Sequence, residues 1–187
     1  MEAQTDDALV AALKERAASG PPANRKGLQA YLRPASSETI ATAEEDLGFP
    51  LEPFLRRVYA EVVGGGIGPG YGLLPLSGQE SLPVVYREFR AHGWPEKLLP
   101  AWDWGCAIWS CVDCGDSCGS IVTHHGGTAR TLTRFTTRSW LRSWMDGVDL
   151  LKELFEENER TIINPFTRKP QVIKVQGNAK GRPWPVR

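Results

Sequence analysis

The sequence has no run of about 18 apolar residues, no basic-then-apolar opening, and no cysteine outside the window from Cys106 to Cys118. The first absence excludes a helix able to cross a bilayer. The second gives no expectation of export, because Met1-Glu2-Ala3-Gln4-Thr5-Asp6-Asp7 is acidic where an export signal is basic. Cys106, Cys111, Cys114 and Cys118 lie too close together to staple distant parts of a chain, so a secreted disulfide framework is excluded as well. The expectation is a chain of the reducing cytoplasm. Histidine is scarce too, with only His92, His124 and His125 available for acid–base chemistry or metal binding.

Acidic residues are missing from the end of the chain. None follows Glu159, whereas Arg160, Arg168, Lys169, Lys174, Lys180, Arg182 and Arg187 are all positive. The formal net charge of zero therefore conceals a body of 15 basic and 22 acidic residues, net −7, followed by a basic tail. Such a tail can neutralise phosphates, but it lacks the aromatic interleaving of a single-strand binder and any reading motif. Nucleic acid is not the expected partner; a solvated or domain-covering segment is.

What is present suits a globular protein. A 41% hydrophobic and 24% charged composition over 187 residues is enough for one hydrophobic core and hardly enough for two. Leu9, Val10 and Leu13 predict a helix over 6–18 that stops at Gly20-Pro21-Pro22. Ser36 or Ser37 caps a second helix that ends at Gly48. Pro53 opens a third, whose apolar stripe Phe54, Leu55, Val58, Tyr59, Val62 and Val63 runs into Gly64-Gly65-Gly66. A glycine-rich loop then feeds a short edge strand near Leu73 to Leu76, and 80–91 reads as a modest helix.

Trp102 to Val112 reads as one buried strand, paired through the CGDSCG connection with Gly119 to His124, and Thr128 to Leu132 reads as a third. Thr136 or Thr137 caps a closing helix with Trp140, Leu141, Trp144 and Met145, and a last helix runs from Leu150 to Glu157. Helices, then a small and mainly antiparallel sheet, then helices again predict an α+β fold. Strand alternation groups Ile108 and Val112 on the core face. Trp109, Cys111 and Asp113 are left as the exposed set, unless helices cover both faces of the sheet.

The cysteines are the strongest chemical signal. Their spacing C-x4-C-x2-C-x3-C resembles the opening of a plant-type iron–sulfur loop, and Cys111, Cys114 and Cys118 with His124 or His125 are tetrahedral zinc donors. Five residues along one strand put Cys106 and Cys111 on opposite faces, which counts against a site that uses all four. The alternative is a set of buried or half-exposed thiols with no cofactor, the expected state. A Cys111–His124 pair across the hairpin has the residue types of a thiol nucleophile and its base, without an oxyanion hole or an orienting group. The run Gly64-Gly65-Gly66-x-Gly68-x-Gly70 follows a helix and lacks the Lys-Ser or Lys-Thr of a phosphate loop. No catalytic set is complete, and the expectation is a binding domain, not an enzyme.

Several segments together resemble a known superfamily. They are LGFPLEPFLRRVYAEVVGGGIGPGYGLLPL, the strand WGCAIWSCVDC and the closing helix SWLRSWMDGVDLL. A helix started through Pro50-Leu51-Glu52-Pro53, then Leu55-Arg56 with Tyr59, a glycine cluster and Leu73-Leu74-Pro75-Leu76 is the most specific part. This pattern resembles the SUKH superfamily, in its cell-wall-assembly-regulator-like branch, over roughly residues 34–157. That divides the chain into 1–33, an N-terminal helix and linker; 34–157, the SUKH-like domain; and 158–187, the basic tail.

The resemblance implies a helix-flanked sheet used for protein binding. Many bacterial members look like immunity proteins that neutralise a partner toxin, often a nuclease, and eukaryotic relatives are regulators and adaptors. A protein partner, expected to be a toxin domain, would meet Tyr71, Trp102, Trp104, Trp109 and Asp113. The alternative is a zinc-stabilised regulatory or adaptor domain centred on Cys111, Cys114, Cys118 and His124. The cysteine-rich hairpin and the basic tail depart from the family pattern, so neither inherits a role from it.

Overall fold

A computed structural model describes residues 5–19, 31–126 and 130–185, with backbone alone at 174 and 176. The Gly20-Pro21-Pro22 linker and residues 127–129, where the third strand was expected to begin, lie outside the described residues.

The helices form where their caps predict. Thr5 caps α1 (Asp6–Ala18), its side chain accepting from the Ala8 amide, and Asp6 and Asp7 sit in the first turn, where the helix dipole favours anions. Ser36 caps α2 (Ser37–Leu47), which stops at Gly48 with φ of 80°, a left-handed position. Pro53 opens α3 (Pro53–Glu61) behind Glu52, whose carboxylate accepts from the Leu55 amide at 2.8 Å. α4 (Leu82–Ala91) follows the glycine-rich loop.

The strands depart from expectation in several places. The stretch from Trp102 to Val112 is not one strand but parts of two, β1 (Leu98–Gly105) and β2 (Ile108–Asp113). Cys106 and Ala107 make the turn between them, at φ of 50° and 60°. Positive φ at both turn residues suits the twist of a two-residue hairpin, a position that normally selects Asn-Gly. Cys-Ala carries no such signal. Cys106 is therefore an exposed turn residue, not a member of a continuous strand face. The expected edge strand near Leu73 reduces to a single bridge with Trp102.

The chain continues through β3 (Ser120–His125), β4 (Arg130–Thr136) and α5 (Thr137–Met145), which opens on a Thr136–Ser139 capping box. α6 (Leu150–Leu154) is shorter than expected, because from Phe155 the chain runs extended. β5 (Phe155–Ile163) and β6 (Pro170–Ala179) form a separate ribbon, and β7 (Arg182–Pro183) returns to the main sheet. The main sheet has the antiparallel order β1-β2-β3-β4-β7. The fold is α+β, and among the described residues no helix is long and apolar enough to cross a membrane.

Both faces of the sheet are covered. On one, Trp140 of α5 packs edge-on against Trp102, Trp104 and Phe135, with centroids 6.2, 6.1 and 5.4 Å away. On the other, Phe89 of α4 and Trp94 cover Trp109 and His124; Phe89–Trp109 is 5.4 Å and Trp94–His124 is 4.9 Å. α1 joins the same core through fully buried Leu13. Arg138 ties three helices together, donating from Nε to Asp6 at 2.8 Å and from Nη1 to buried Glu52 at 3.3 Å.

Candidate protein-binding surface

The glycine-rich loop lies directly on the edge of β1. The Tyr71 amide donates to Asp103 O at 2.8 Å and the Leu74 amide to Ala101 O at 2.9 Å. Only glycine permits so close an approach: a Cβ at Gly70 would stand 2.5 Å from Asp103 O, and one at Gly68 2.4 Å from Trp102 Nε1. Trp102 Nε1 donates to Ile67 O at 3.2 Å, and Tyr59 OH to Leu74 O at 2.7 Å, so the loop is anchored from both the sheet and α3.

This loop and the end of β1 build a corner from Tyr71, Asp103 and Trp104. Tyr71 is 38% exposed, and its ring lies over Gly105, where an added Cβ would be 3.0 Å from it. Half-buried Trp104 is fixed by donating from Nε1 to Ser110 Oγ at 2.8 Å, and Asp103 Oδ1 accepts from the Gly105 amide at 2.7 Å. Two aromatic rings and a carboxylate on a rigid backbone can accept an apolar or basic side chain without losing much conformational entropy. Asp103 was missed by the sequence reading, since alternation marks a face and does not reveal a loop folded against a strand edge.

The other predicted partner contacts are elsewhere. Trp102 is fully buried in the core, which removes it from any surface. Trp109, Cys111 and Asp113 do share a face, but it is the one beneath α4, so they are not an exposed set. Trp109 is half-buried against Phe89. Asp113 is 4% exposed, accepting from the Gly115 amide at 2.9 Å and from Trp184 Nε1 at 3.1 Å. Trp184 was overlooked, though a lone tryptophan between prolines in a basic tail is an odd residue for a segment left in solvent.

The candidate zinc donors do not converge. Among the described residues no group of three or more His, Cys, Asp or Glu side chains is placed to hold a metal ion. Cys111 is buried in mid-strand, Cys118 is exposed at the turn, and His124 packs edge-on against Trp94. Burial raises the Cys111 thiol far above its ordinary range and pushes Cys114 up to about 12. Both directions disfavour the thiolate that a nucleophile or a metal ligand requires.

A comparison with curated proteins returns no significant match. The sequence profile described as the SMI1 / KNR4 family (SUKH-1) matches residues 34–143, from just before α2 into α5. That span is more than half of the chain and contains the glycine loop, the corner and β1 to β4; the chain belongs to the SMI1 / KNR4 family (SUKH-1).

Proposed function

We propose that this chain is a non-catalytic protein-binding domain, an immunity protein of the bacterial cytoplasm that occupies and neutralises a cognate toxin of basic surface, such as a nuclease. Membership of the SUKH-1 family is the observation that carries the reading. The charge distribution agrees with it. Proteins that act on polyanions tend to be basic, and a body of net −7 over the first 159 residues would speed their capture. The corner of Tyr71, Asp103 and Trp104 supplies the chemistry of a binding hot spot, aromatic anchors beside one anionic group.

The test is co-expression, one at a time, with the products of the genes beside this chain's own, scoring each for toxicity. Cells should survive only when this protein is present, and Tyr71→Ala should weaken the purified complex by about ten-fold or more, with little change in the melting temperature. Cell death despite full expression of the folded protein would refute neutralisation.

A further inference from the structure

The end of the chain closes the sheet at an edge that lies outside the interlock of loop and β1. β7 pairs with β4 through Thr131–Pro183 and Leu132–Arg182, and the Trp184 amide then donates to Arg130 O at 2.9 Å. Trp184 is 7% exposed, with its indole on the Asp113 carboxylate, which belongs to a strand well inside the sheet. The fit is close, since a Cβ at Gly181 would stand 2.2 Å from Leu132 O. Yet the backbone grip is slight. β7 has two residues against seven in β4, and one of the two is a proline, which has no N–H to give. The seam is held mainly by one indole and one carboxylate.

We propose that the strap from Gly181 to Pro185 is a displaceable internal ligand, and that the groove it fills accepts an extended, tryptophan-bearing segment of a protein partner by strand addition to β4. The strap itself shows the chemistry the groove selects. Arg182-Pro183-Trp184-Pro185 is kept extended by its prolines and brings an indole N–H to a buried carboxylate. A partner segment with those features would make the same contacts. It would also run on along Thr133 to Thr136, beyond the two residue pairs that β7 makes. The inference rests on the protein-binding reading and gives it a second surface, on the opposite edge from the Tyr71 corner.

The probe is a synthetic peptide, Lys-Gly-Arg-Pro-Trp-Pro-Val-Arg, copying residues 180–187, added to full-length protein carrying Trp184→Ala. Fluorescence anisotropy of the labelled peptide should show saturable binding, about ten-fold or more tighter than to the wild type, whose own strap competes. Replacing the peptide's tryptophan by alanine, or adding Asp113→Ala to the protein, should abolish it. A folded Trp184→Ala protein that binds no peptide overturns the proposal. Hydrogen exchange on the unaltered protein gives a second reading, which stands even if the variant does not fold. The Trp184 amide should exchange about ten-fold or more faster than that of Val122, because the strap opens by itself. Equal rates mean that it leaves only on global unfolding, and that also overturns the proposal. The probe is this chain's own sequence, so its failure leaves toxin neutralisation standing, and failure of neutralisation leaves the groove standing.

Discussion

The two edges of the main sheet meet the same hazard in different ways. A strand edge exposes unpaired N–H and C=O groups to any passing strand. At β1 the cover is the glycine loop, threaded from the end of α3 and interlocked with Trp102, so closing the edge and filling the core are one event. At β4 the cover is a two-residue strand contributed by the tail, tied down by Trp184 and Asp113. The first lies inside the segment that matches the family and the second beyond it. One edge is integral to the fold; the other is attached to it.

Breaking the integral edge should cost most. Trp102→Ala deletes a fully buried indole, leaves Ile67 O without that donor, and frees the loop that carries Tyr71. The expected loss is about 3–5 kcal/mol in urea denaturation, with an undiminished cooperative transition. A loss near 1 kcal/mol would mean that the loop does not depend on the core. Breaking the attached edge should cost less. Gly181→Ala places a Cβ against Leu132 O at φ of 139°, but the strap can detach, so the global loss is capped by the strap's own docking free energy, below about 2 kcal/mol.

Thiol labelling separates the two edges without measuring stability. In the unaltered protein exposed Cys106 and Cys118 should react with iodoacetamide, while buried Cys111 and half-buried Cys114, both with raised thiol pKa values, should stay protected. Arg130, whose carbonyl receives the Trp184 amide, lies close enough to Cys111 to act on it electrostatically. Gly181→Ala should therefore expose Cys111 several-fold faster to the reagent and leave Cys114, beside Glu52, unchanged. Labelling of both at one rate would show a single opening unit.

These differences explain what could be read in advance. The helices were legible because their signals are local: Ser36 and Gly48 bound α2, and Pro53 begins α3. The turn at Cys106-Ala107 was not, because the pairing of Gly105 with Ile108 sets those exposed residues at positive φ against their own preference. The ribbon was missed for another reason. β5 and β6 have little buried surface, with Ile163 and Val172 largely exposed and Phe166, in the turn, 94% exposed, so no core-facing alternation marks them. Tyr71 and Trp104 were picked out by residue type, and the structure brings them together beside Asp103. That Trp102 beside them is interior depends on where Ile67 and Trp140 come to lie, which no local pattern encodes.

The smallest effect should come from a surface ion pair that makes none of the contacts closing either edge, and it sets the floor for the comparison. Glu61 pairs with Arg57 at 2.8 Å and Lys14 at 3.5 Å, and the Arg57 hydrogen bond, ahead of the charges, holds its carboxyl below the ordinary value. Its folded pKa is depressed, so the pair's contribution is fully present above the unfolded value and is lost as the pH falls through the folded one. The side chain is 36% exposed, and solvent screening limits the pair to about 0.5 kcal/mol. Glu61→Gln should therefore cost about that much or less at pH 7 and nothing in acid below the folded pKa, where both proteins should melt together. A larger loss, or one that persists in acid, would place α1 and α3 under the same structural demand as the β1 edge, and the contrast would then lie between core and strap, not between two edges.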